Sequence, residues 1–320
     1  MIDTSSCASN VPENIPLSAA EARDRMLAEV TPIIGHEFVP VRSALGRILA
    51  ADIIAPHDVP AHDNSAMDGY AIRFDSLGSA AETRLSVVGT AFAGNAFSGQ
   101  VGKGQAVRIM TGAVLPAGAD TVVVQEVTRL EAGAVFIPSG QRQGQNTRRA
   151  GEDLARGAVA LAAGKRIDPA ELGLIASLGI AEVEVKRRLR VAFFSTGDEL
   201  ASIGNPLAPG EIYDSNRYTL HGLLTRLGAE IIDLGVVPDR PEALEATLAE
   251  AALIADAIIT TGGVSVGEAD FIREILAKLG EVRFWKLNIK PGRPMAFGKV
   301  GNAWLFGLPG NPVAVMVSYT

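Results

Sequence analysis

Acidic side chains follow three apolar runs of this sequence. They are Asp198 and Glu199 after residues 191–194, Asp239 after residues 230–234, and Glu268 and Asp270 after residues 257–260. If the runs are neighbouring strands, their acids meet at one edge of a sheet. Like charges about 4 Å apart repel by about 1 kcal/mol in water and about 4 kcal/mol at an effective dielectric constant near 20. A hard divalent cation relieves that repulsion, and Mg²⁺ is commonly held by one or two carboxylates plus substrate phosphates. The pattern favours such a site.

Two glycine-rich stretches could hold the phosphate. One is TTGGVSVGEAD (260–270), with Gly262 and Gly263, and the other is GLPGNP (307–312), with Pro309, Gly310 and Pro312. Glycine lets the backbone approach an anion, and a helix start offers N–H groups, so we expect the amides that begin the helix after GLPGNP to face an anion. Alternatively, the glycines serve only positive φ angles and GLPGNP is a plain turn.

Basic residues follow the next predicted strand. RFWKLNIKPGRP supplies Lys286, Lys290 and Arg293, which could neutralise phosphates or could simply be solvated. The acids also have structural alternatives. Asp239 and Asp270 could start helices, and Asp198 and Glu199 could be solvated turn residues.

A second group of polar residues lies earlier in the chain. Asp63 and Asp68 occur in the predicted loop VPAHDNSAMDGYA, Thr111 ends the run RIMTG, and Arg148 and Asp153 belong to GQNTRRAGED. An arginine here could bind a phosphate through two hydrogen bonds. Asx turns and solvated turns are the alternatives.

The elements that must position these residues fall into two patterns. From about residue 51 to 149, short alternating runs separated by Gly, Pro and Asn predict an all-β module. Beyond residue 187, apolar strands alternate with helical segments, which predicts a doubly wound, mainly parallel α/β sheet with ligands at the carboxyl ends of its strands. We therefore expect a helical first part of a linker domain (1–50), an inserted β module (51–149), the second part of the linker domain (150–187) and an α/β substrate-binding domain (188–320).

Composition excludes several classes of protein. With 48% hydrophobic and 20% charged residues, the chain is typical of a cored globular protein. A net charge of −7 argues against nucleic acid as the main partner. The single cysteine, Cys7, makes an internal disulfide impossible, and the sequence shows neither a secretion signal nor an apolar run of about 18 residues, so we expect a cytoplasmic protein without membrane segments. No P-loop or GxGxxG motif occurs, which disfavours the common ATPases and nicotinamide dehydrogenases.

Eight ordered motifs resemble one family. DNSAMDGYA, RIMTGA, GADTVVVQE, RRAGEDL, STGDEL, TGGVSVGEADF, FWKLNIKPGRP and GLPGNP together look like the molybdopterin molybdenumtransferases, the MoeA and gephyrin E-domain group. The resemblance implies an enzyme of molybdenum cofactor biosynthesis that inserts molybdate into adenylylated molybdopterin and releases AMP with Mg²⁺. It also implies a MogA-like α/β domain, a homodimer, and the molybdopterin adenylyltransferase as a possible partner.

The resemblance also assigns roles to individual residues. It places Glu199, Asp239, Asp270, Lys286 and Lys290 at active-site positions, with Glu199 and Asp270 as candidate metal ligands. It places Asp63, Thr111, Arg148 and Asp153 at positions that matter in the inserted module and its hinge, and Pro309 and Pro312 at the proline pair of the last loop. We expect these residues to bind the substrate together with the loop backbones at Gly262, Gly263, Ser265 and Gly310. Ala150 stands where many members of the family carry a third arginine.

The sequence leaves two alternative functions open and raises one question about the length of the chain. A molybdopterin adenylyltransferase would share the GGxS loop but would consume ATP, and a non-catalytic, gephyrin-like scaffold would release no AMP. The family has a further C-terminal β domain that this sequence lacks, so we expect a truncated chain.

Overall fold

The structure is a computed structural model that describes residues 16–79, 81–262, 275 and 278–319, with the side chains of residues 282–285 left out. It divides into a β-rich unit, Phe38–Val185, and an α/β unit formed by Met1–Glu37 and Lys186–Thr320. In the described residues, no helix is long and apolar enough to cross a membrane.

The chain begins in the α/β unit with α1 (Ala19–Glu29). Ser18 and Glu21 form a capping box at its start, in which each side chain accepts a hydrogen bond from the other residue's backbone N–H. The chain then passes through β1 (His36–Pro40) into the β-rich unit and returns through β12 (Glu182–Lys186), and these two strands pair.

The β-rich unit contains one six-stranded sheet, in which the strand order is β7-β4-β6-β5-β9-β8. Short strand pairs (β2 with β11, β3 with β10) and helix α2 complete it, and α2 begins with the Asp168–Glu171 capping box. Its elements are β2 (Ile53–Ile54), β3 (Asn64–Ser65), β4 (Gly69–Ile72), β5 (Glu82–Ala91), β6 (Gln105–Ile109), β7 (Thr121–Val124), β8 (Arg129–Glu131), β9 (Ala134–Pro138), β10 (Thr147–Arg148), β11 (Val159–Leu161) and α2 (Pro169–Ser177), with 3-10 turns at Val41–Ser43, Phe74–Ser76 and Gln125–Val127.

The α/β unit is built on a second six-stranded sheet, with the order β16-β13-β17-β20-β19-β18. Strands β16, β13, β17 and β20 are parallel, and β19 is antiparallel to both of its neighbours. The elements are β13 (Arg190–Thr196), β14 (Leu200–Ala201), β15 (Ile212–Tyr213), α3 (Ser215–Leu227), β16 (Glu230–Val237), α4 (Pro241–Ile254), β17 (Ala257–Thr261), β18 (Gly280–Lys286), β19 (Pro294–Val300), β20 (Ala303–Leu308) and α5 (Pro312–Tyr319).

Helices cover both faces of this sheet, which confirms the predicted doubly wound architecture. On β13, Ala192 and Phe194 pack into a core cluster with α4, whereas Val191 and Phe193 pack into a second cluster with α1, α3 and α5. Successive side chains of a strand point to opposite faces, so a continuous apolar run such as this one is typical of a sheet that is buried on both sides.

One strand of the sheet differs from the sequence-based expectation. The sequence pattern predicts no strand over residues 294–300, whereas the structure has β19 there, between β18 and β20. This insertion keeps β18 parallel to β20 but moves it one strand further away, which changes where its carboxyl end lies. The sequence pattern also predicts a helix over residues 271–279, most of which lie outside the described residues.

Candidate functional site

The carboxyl ends of the strands of the α/β unit line up across the sheet. One register line passes through Val236, Ser195, Thr261 and Leu308. Extending the pairing of β19 with β20 by one residue beyond Ala296 and Gly307 carries this line to Met295, which pairs with Trp285. The residues one position further along the five mutually parallel strands are Val237, Thr196, Gly262, Pro309 and Lys286. We call this line of strand ends the rim, and every candidate site residue of this unit that the structure describes lies on it or a few residues beyond it.

The strand order reverses at the end of β13. The chain runs from β13 to β16 on one side of it and then to β17 on the other side. Ligands of doubly wound sheets bind at such a switch point. Here the backbones approach closely: Gly262 has φ +87°, and a Cβ on it would lie 2.4 Å from the carbonyl oxygen of Thr196. Gly310 is also near, because a Cβ on it would lie 3.7 Å from the Cα of Gly262. Gly262 is therefore required by space as well as by backbone conformation.

Three acids lie at the β13 and β16 end of the rim. The Asp239 carboxylate accepts a hydrogen bond from the Thr196 hydroxyl at 3.3 Å, and the Asp239 backbone N–H donates to Asp198 at 3.4 Å. The Glu199 carboxylate folds back over Gly197, where an added Cβ would lie 2.6 Å from one of its oxygens. Helix α4 begins after the N-cap residue Arg240, so Asp239 faces the end of β13 and is not the cap of this helix.

Buried hydroxyl groups lie directly beneath the rim, and the sequence reasoning missed them. Ser195, Thr196, Thr260 and Thr261 are all buried, and the Thr261 hydroxyl donates to Ser195 Oγ at 3.1 Å. Polar residues at the last positions of otherwise apolar strands could have revealed them. These hydroxyl groups can donate and accept hydrogen bonds directly beneath the acids of the rim.

The GLPGNP loop lies beside Gly262 and corrects one expectation. The side-chain oxygen of Asn311 accepts from the N–H groups of Val313 at 2.9 Å and Ala314 at 3.3 Å, and the Asn311 carbonyl accepts from Val315 N–H at 2.9 Å. Pro312 has no N–H, so the first turn of α5 is capped by the chain itself and its amides do not face an anion. An anion at this loop would meet the amides of the exposed residues Gly310 and Asn311 instead.

The lysines lie at the opposite end of the rim from the acids. Lys286 ends β18, four strands away from β13, and strands are spaced by about 4.8 Å, so about 19 Å separates the two backbones. Lys286 and Lys290 are both exposed. Backbone hydrogen bonds fix this end of β18: Leu17 N–H donates to the carbonyl of Lys286 at 2.8 Å, and Asn288 N–H donates back to Leu17. The acids and the lysines therefore lie at opposite ends of the rim.

The predicted site residues of the β-rich unit are held in hydrogen bonds within that unit. Asp63 accepts from the backbone N–H of Ala150 at 2.8 Å. Asp68 accepts from the N–H and the hydroxyl of Thr111 at 2.8 and 2.7 Å, and these bonds lower the pKa of Asp68. Asp68 was not among the predicted site residues, although it lies in the same motif as Asp63.

Arg148 forms an ion pair within the same unit. Its guanidinium contacts the Asp153 carboxylate and lies 3.6 Å from Glu152, and the hydrogen bond to Asp153 raises the pKa of Arg148. A phosphate bound by Arg148 would have to compete with or join these carboxylates. Arg148 and Asp153 therefore act as one group.

Some predicted residues lie outside the described part of the structure, namely Gly263, Ser265 and Asp270. Among the residues that are described, no group of three or more His, Cys, Asp or Glu side chains is close enough to hold a metal ion. The donor set on the rim is chemically suited to a hard cation, since carboxylate and hydroxyl oxygens are the ligands that Mg²⁺ prefers.

Two family models match this chain. The MoeA N-terminal region (domain I and II) matches residues 17–179, and a probable molybdopterin binding domain matches residues 192–320. The chain is 49% identical over 304 residues to the molybdopterin molybdenumtransferase of Haemophilus influenzae, which covers 95% of this chain and 75% of that protein. It is 39% identical to the Bacillus subtilis protein of the same name, over 88% of this chain and 68% of that protein.

A solved structure agrees with these matches. The crystal structure of the molybdopterin biosynthesis MoeA protein from Pyrococcus horikoshii superimposes with a TM-score of 0.83 at 32% identity, covering 95% of this chain and 76% of that one. Because the family models cover both units and several relatives exceed 30% identity over most of their length, the chain belongs to the MoeA family.

Proposed function

We propose that this chain inserts molybdate into adenylylated molybdopterin in an Mg²⁺-dependent reaction that releases AMP. Membership of the MoeA family makes it an enzyme of molybdenum cofactor biosynthesis, and the relatives are named molybdopterin molybdenumtransferases. The observation that supports an Mg²⁺-dependent reaction on a phosphorylated substrate is the rim. Along this line of strand ends lie acids, lysines and a glycine, Gly262, that is packed closely against the neighbouring backbone. An extended phosphorylated ligand is suited to that line.

The acid end of the rim is the proposed metal side. Glu199 would hold Mg²⁺ together with Asp270, and Asp239 would support them through its hydrogen bond with Thr196. When bound, Mg²⁺ supplies polarisation of the phosphoryl oxygens and stabilises charge on the leaving phosphate. The role of Glu199, Asp239 and Thr196 is to fix the position and hydrogen bonding of the oxygen ligands.

The glycine loops and the lysines would bind the anionic parts of the substrate. The backbone at Gly262, Gly263 and Ser265 and the loop amides at Gly310 would hold the pyrophosphate, with Pro309 and Pro312 limiting loop motion. Lys286 and Lys290 would neutralise phosphate or the incoming molybdate at the far end of the rim. Substrate contacts are also proposed for a second set of residues in the β-rich unit: Asp63, Thr111, Arg148 and Asp153.

Release of AMP tests this proposal. The protein is incubated with adenylylated molybdopterin and Mg²⁺, with and without molybdate, and AMP is followed by chromatography. We expect AMP only when both molybdate and Mg²⁺ are present. AMP release that does not depend on molybdate, or consumption of ATP with formation of adenylylated molybdopterin, would contradict it.

Two further parts of the proposal concern assembly. We propose a homodimer, and we propose that the molybdopterin adenylyltransferase delivers the substrate. Light scattering of the purified protein tests the first, since a mass near 33.4 kDa, that of one chain, would exclude the dimer. Co-elution with the adenylyltransferase tests the second.

A further inference from the structure

A buried amide at the start of α3 contacts the GLPGNP loop. Asn216 is 8% exposed, and its Nδ2 donates a hydrogen bond to the carbonyl oxygen of Gly310 at 2.7 Å. Asn216 lies in the first turn of α3, behind the N-cap residue Asp214, whose side chain accepts from Arg217 N–H. The two residues come from segments almost a hundred positions apart, so this bond ties one rim loop to another element.

The surroundings of Asn216 show that its orientation is fixed. Because Nδ2 faces the Gly310 carbonyl, Oδ1 points elsewhere, and this oxygen has no hydrogen-bond partner among the described residues. Asp214 is 4% exposed, and its Oδ2 is likewise a buried acceptor without a described partner. A buried polar atom without a hydrogen bond destabilises the fold, because it has lost its contacts with water. A buried asparagine that uses its one donating group on an exposed loop is consistent with a role in positioning that loop.

The bond determines the direction of one loop amide. The peptide between Gly310 and Asn311 is trans, so its carbonyl and its N–H point in opposite directions. Holding the Gly310 carbonyl toward α3 therefore turns the Asn311 N–H away from α3. The amides of Val313 and Ala314 in the first turn of α5 donate to the Asn311 side chain. The Asn311 N–H is therefore the donor of this loop whose direction is set by the hydrogen bond from Asn216.

We propose that Asn216 is a positioning residue for anion binding: it orients the Gly310–Asn311 peptide so that its N–H donates to a phosphate of the nucleotide-bearing substrate. This rests on the proposed function, since the phosphate is that of the adenylylated substrate and of the product AMP. Asn216 touches the loop and not the ligand, so its effect is on affinity. Loss of the bond lets the peptide rotate, so the Asn311 N–H is no longer held in one direction.

Three variants distinguish the hydrogen bonding of the Asn216 amide from the size of its side chain. Asn216→Asp keeps the shape but places an acceptor against the Gly310 carbonyl, Asn216→Ala removes the bond, and Asn216→Gln keeps an amide that can still donate. The matched control is Asn302→Asp, which makes the same chemical change at an exposed position in the turn between β19 and β20. Both tryptophans, Trp285 and Trp304, lie in the α/β unit, so their fluorescence reports whether this unit stays folded.

The measurement is the Kd of AMP by calorimetry, alongside urea unfolding followed by tryptophan fluorescence. We expect Asn216→Asp and Asn216→Ala to weaken AMP binding at least tenfold, Asn216→Gln to weaken it less than fivefold, and Asn302→Asp to leave it unchanged. If Asn216→Ala is unfolded, the comparison of the Asp and Gln variants decides. Folded Asp and Gln variants that both bind AMP within twofold of the unmodified protein would overturn the positioning role alone. If the unmodified protein binds no AMP by calorimetry, the positioning role fails, whereas the proposed function is decided separately by molybdate-dependent release of AMP.

Discussion

Replacing Gly262 by alanine tests whether the close approach of β13 and β17 sets the rim. Two costs follow from the structure. The backbone at Gly262 has φ +87°, which an L side chain adopts at a cost of about 1 to 2 kcal/mol. The added Cβ would also lie 2.4 Å from the Thr196 carbonyl oxygen, whereas ordinary contacts begin at 3.4 Å, so the two strand ends must separate by about 1 Å. Forced backbone shifts of this kind cost about 1 to 3 kcal/mol.

Gly228→Ala isolates the first of these costs. Gly228 follows α3 in the same unit with φ +77°, and the nearest atom to its added Cβ is the flexible guanidinium of Arg188 at 3.5 Å. Alanine also lowers the entropy of the unfolded chain, which offsets about 0.4 to 1 kcal/mol in both variants. We therefore expect a loss of about 1 kcal/mol for Gly228→Ala and about 2 to 4 kcal/mol for Gly262→Ala.

Urea unfolding measures the difference. With a slope of about 2 kcal/mol/M, Gly262→Ala lowers the midpoint of the tryptophan fluorescence transition by about 1 to 2 M and Gly228→Ala by about 0.5 M. Because the clash also moves Thr196 away from its position beside Asp239, AMP release falls in Gly262→Ala and not in Gly228→Ala. Equal midpoints for the two variants would refute the close approach at the rim.

Three other changes have definite expected results. The bidentate Arg187 pair lowers the pKa of Asp256 below its unfolded value, so its stabilisation is present above about pH 4 and is lost as the pH falls through the folded-state pKa. Asp256→Asn therefore lowers the free energy of unfolding by about 2 kcal/mol at pH 7 and flattens the pH dependence of the urea midpoint below pH 5. Asp24→Asn, at an exposed ion pair, changes the free energy of unfolding by less than about 0.5 kcal/mol. Asn311→Ala removes the cap of α5 and lowers stability by about 1 kcal/mol by the same urea assay, and no loss would contradict the capping geometry. Asp239→Asn lowers the rate of AMP release at least tenfold with an unchanged urea midpoint, because Asp239 lies outside α4; an unchanged rate would remove it from the site.

The sequence predicted the α/β unit well because its signals are local. Apolar runs such as residues 191–194 and 257–260 identify buried strands from a few consecutive residues. The strand β19 was missed because Gly298 and Pro294 weaken its pattern, and its place in the sheet depends on pairing with β18 and β20. Pairing between distant segments is not visible in a local pattern.

The candidate site shows the same division between local and long-range information. Acids after strands could be found from the sequence, but the partner of Asp239 is a threonine forty-three positions earlier, and the partner of Gly310 is Asn216 on another element. The expectation that the amides at the start of α5 face an anion was wrong for a related reason. The sequence places Asn311 in the loop, and only the structure shows that its side-chain oxygen accepts hydrogen bonds from the amides of Val313 and Ala314.

The position of β19 has a consequence for how one substrate could use both ends of the rim. With β19 in place, Lys286 lies four strands from β13, at about 19 Å, and this distance exceeds the combined reach of a glutamate and a lysine side chain. A single small ion could not be shared by Glu199 and Lys286. In the proposed function, the two ends therefore bind separate groups of one long ligand, or a ligand and a second anion. The proposed substrate, which carries a phosphoester at one end and receives an oxyanion elsewhere, is suited to this separation.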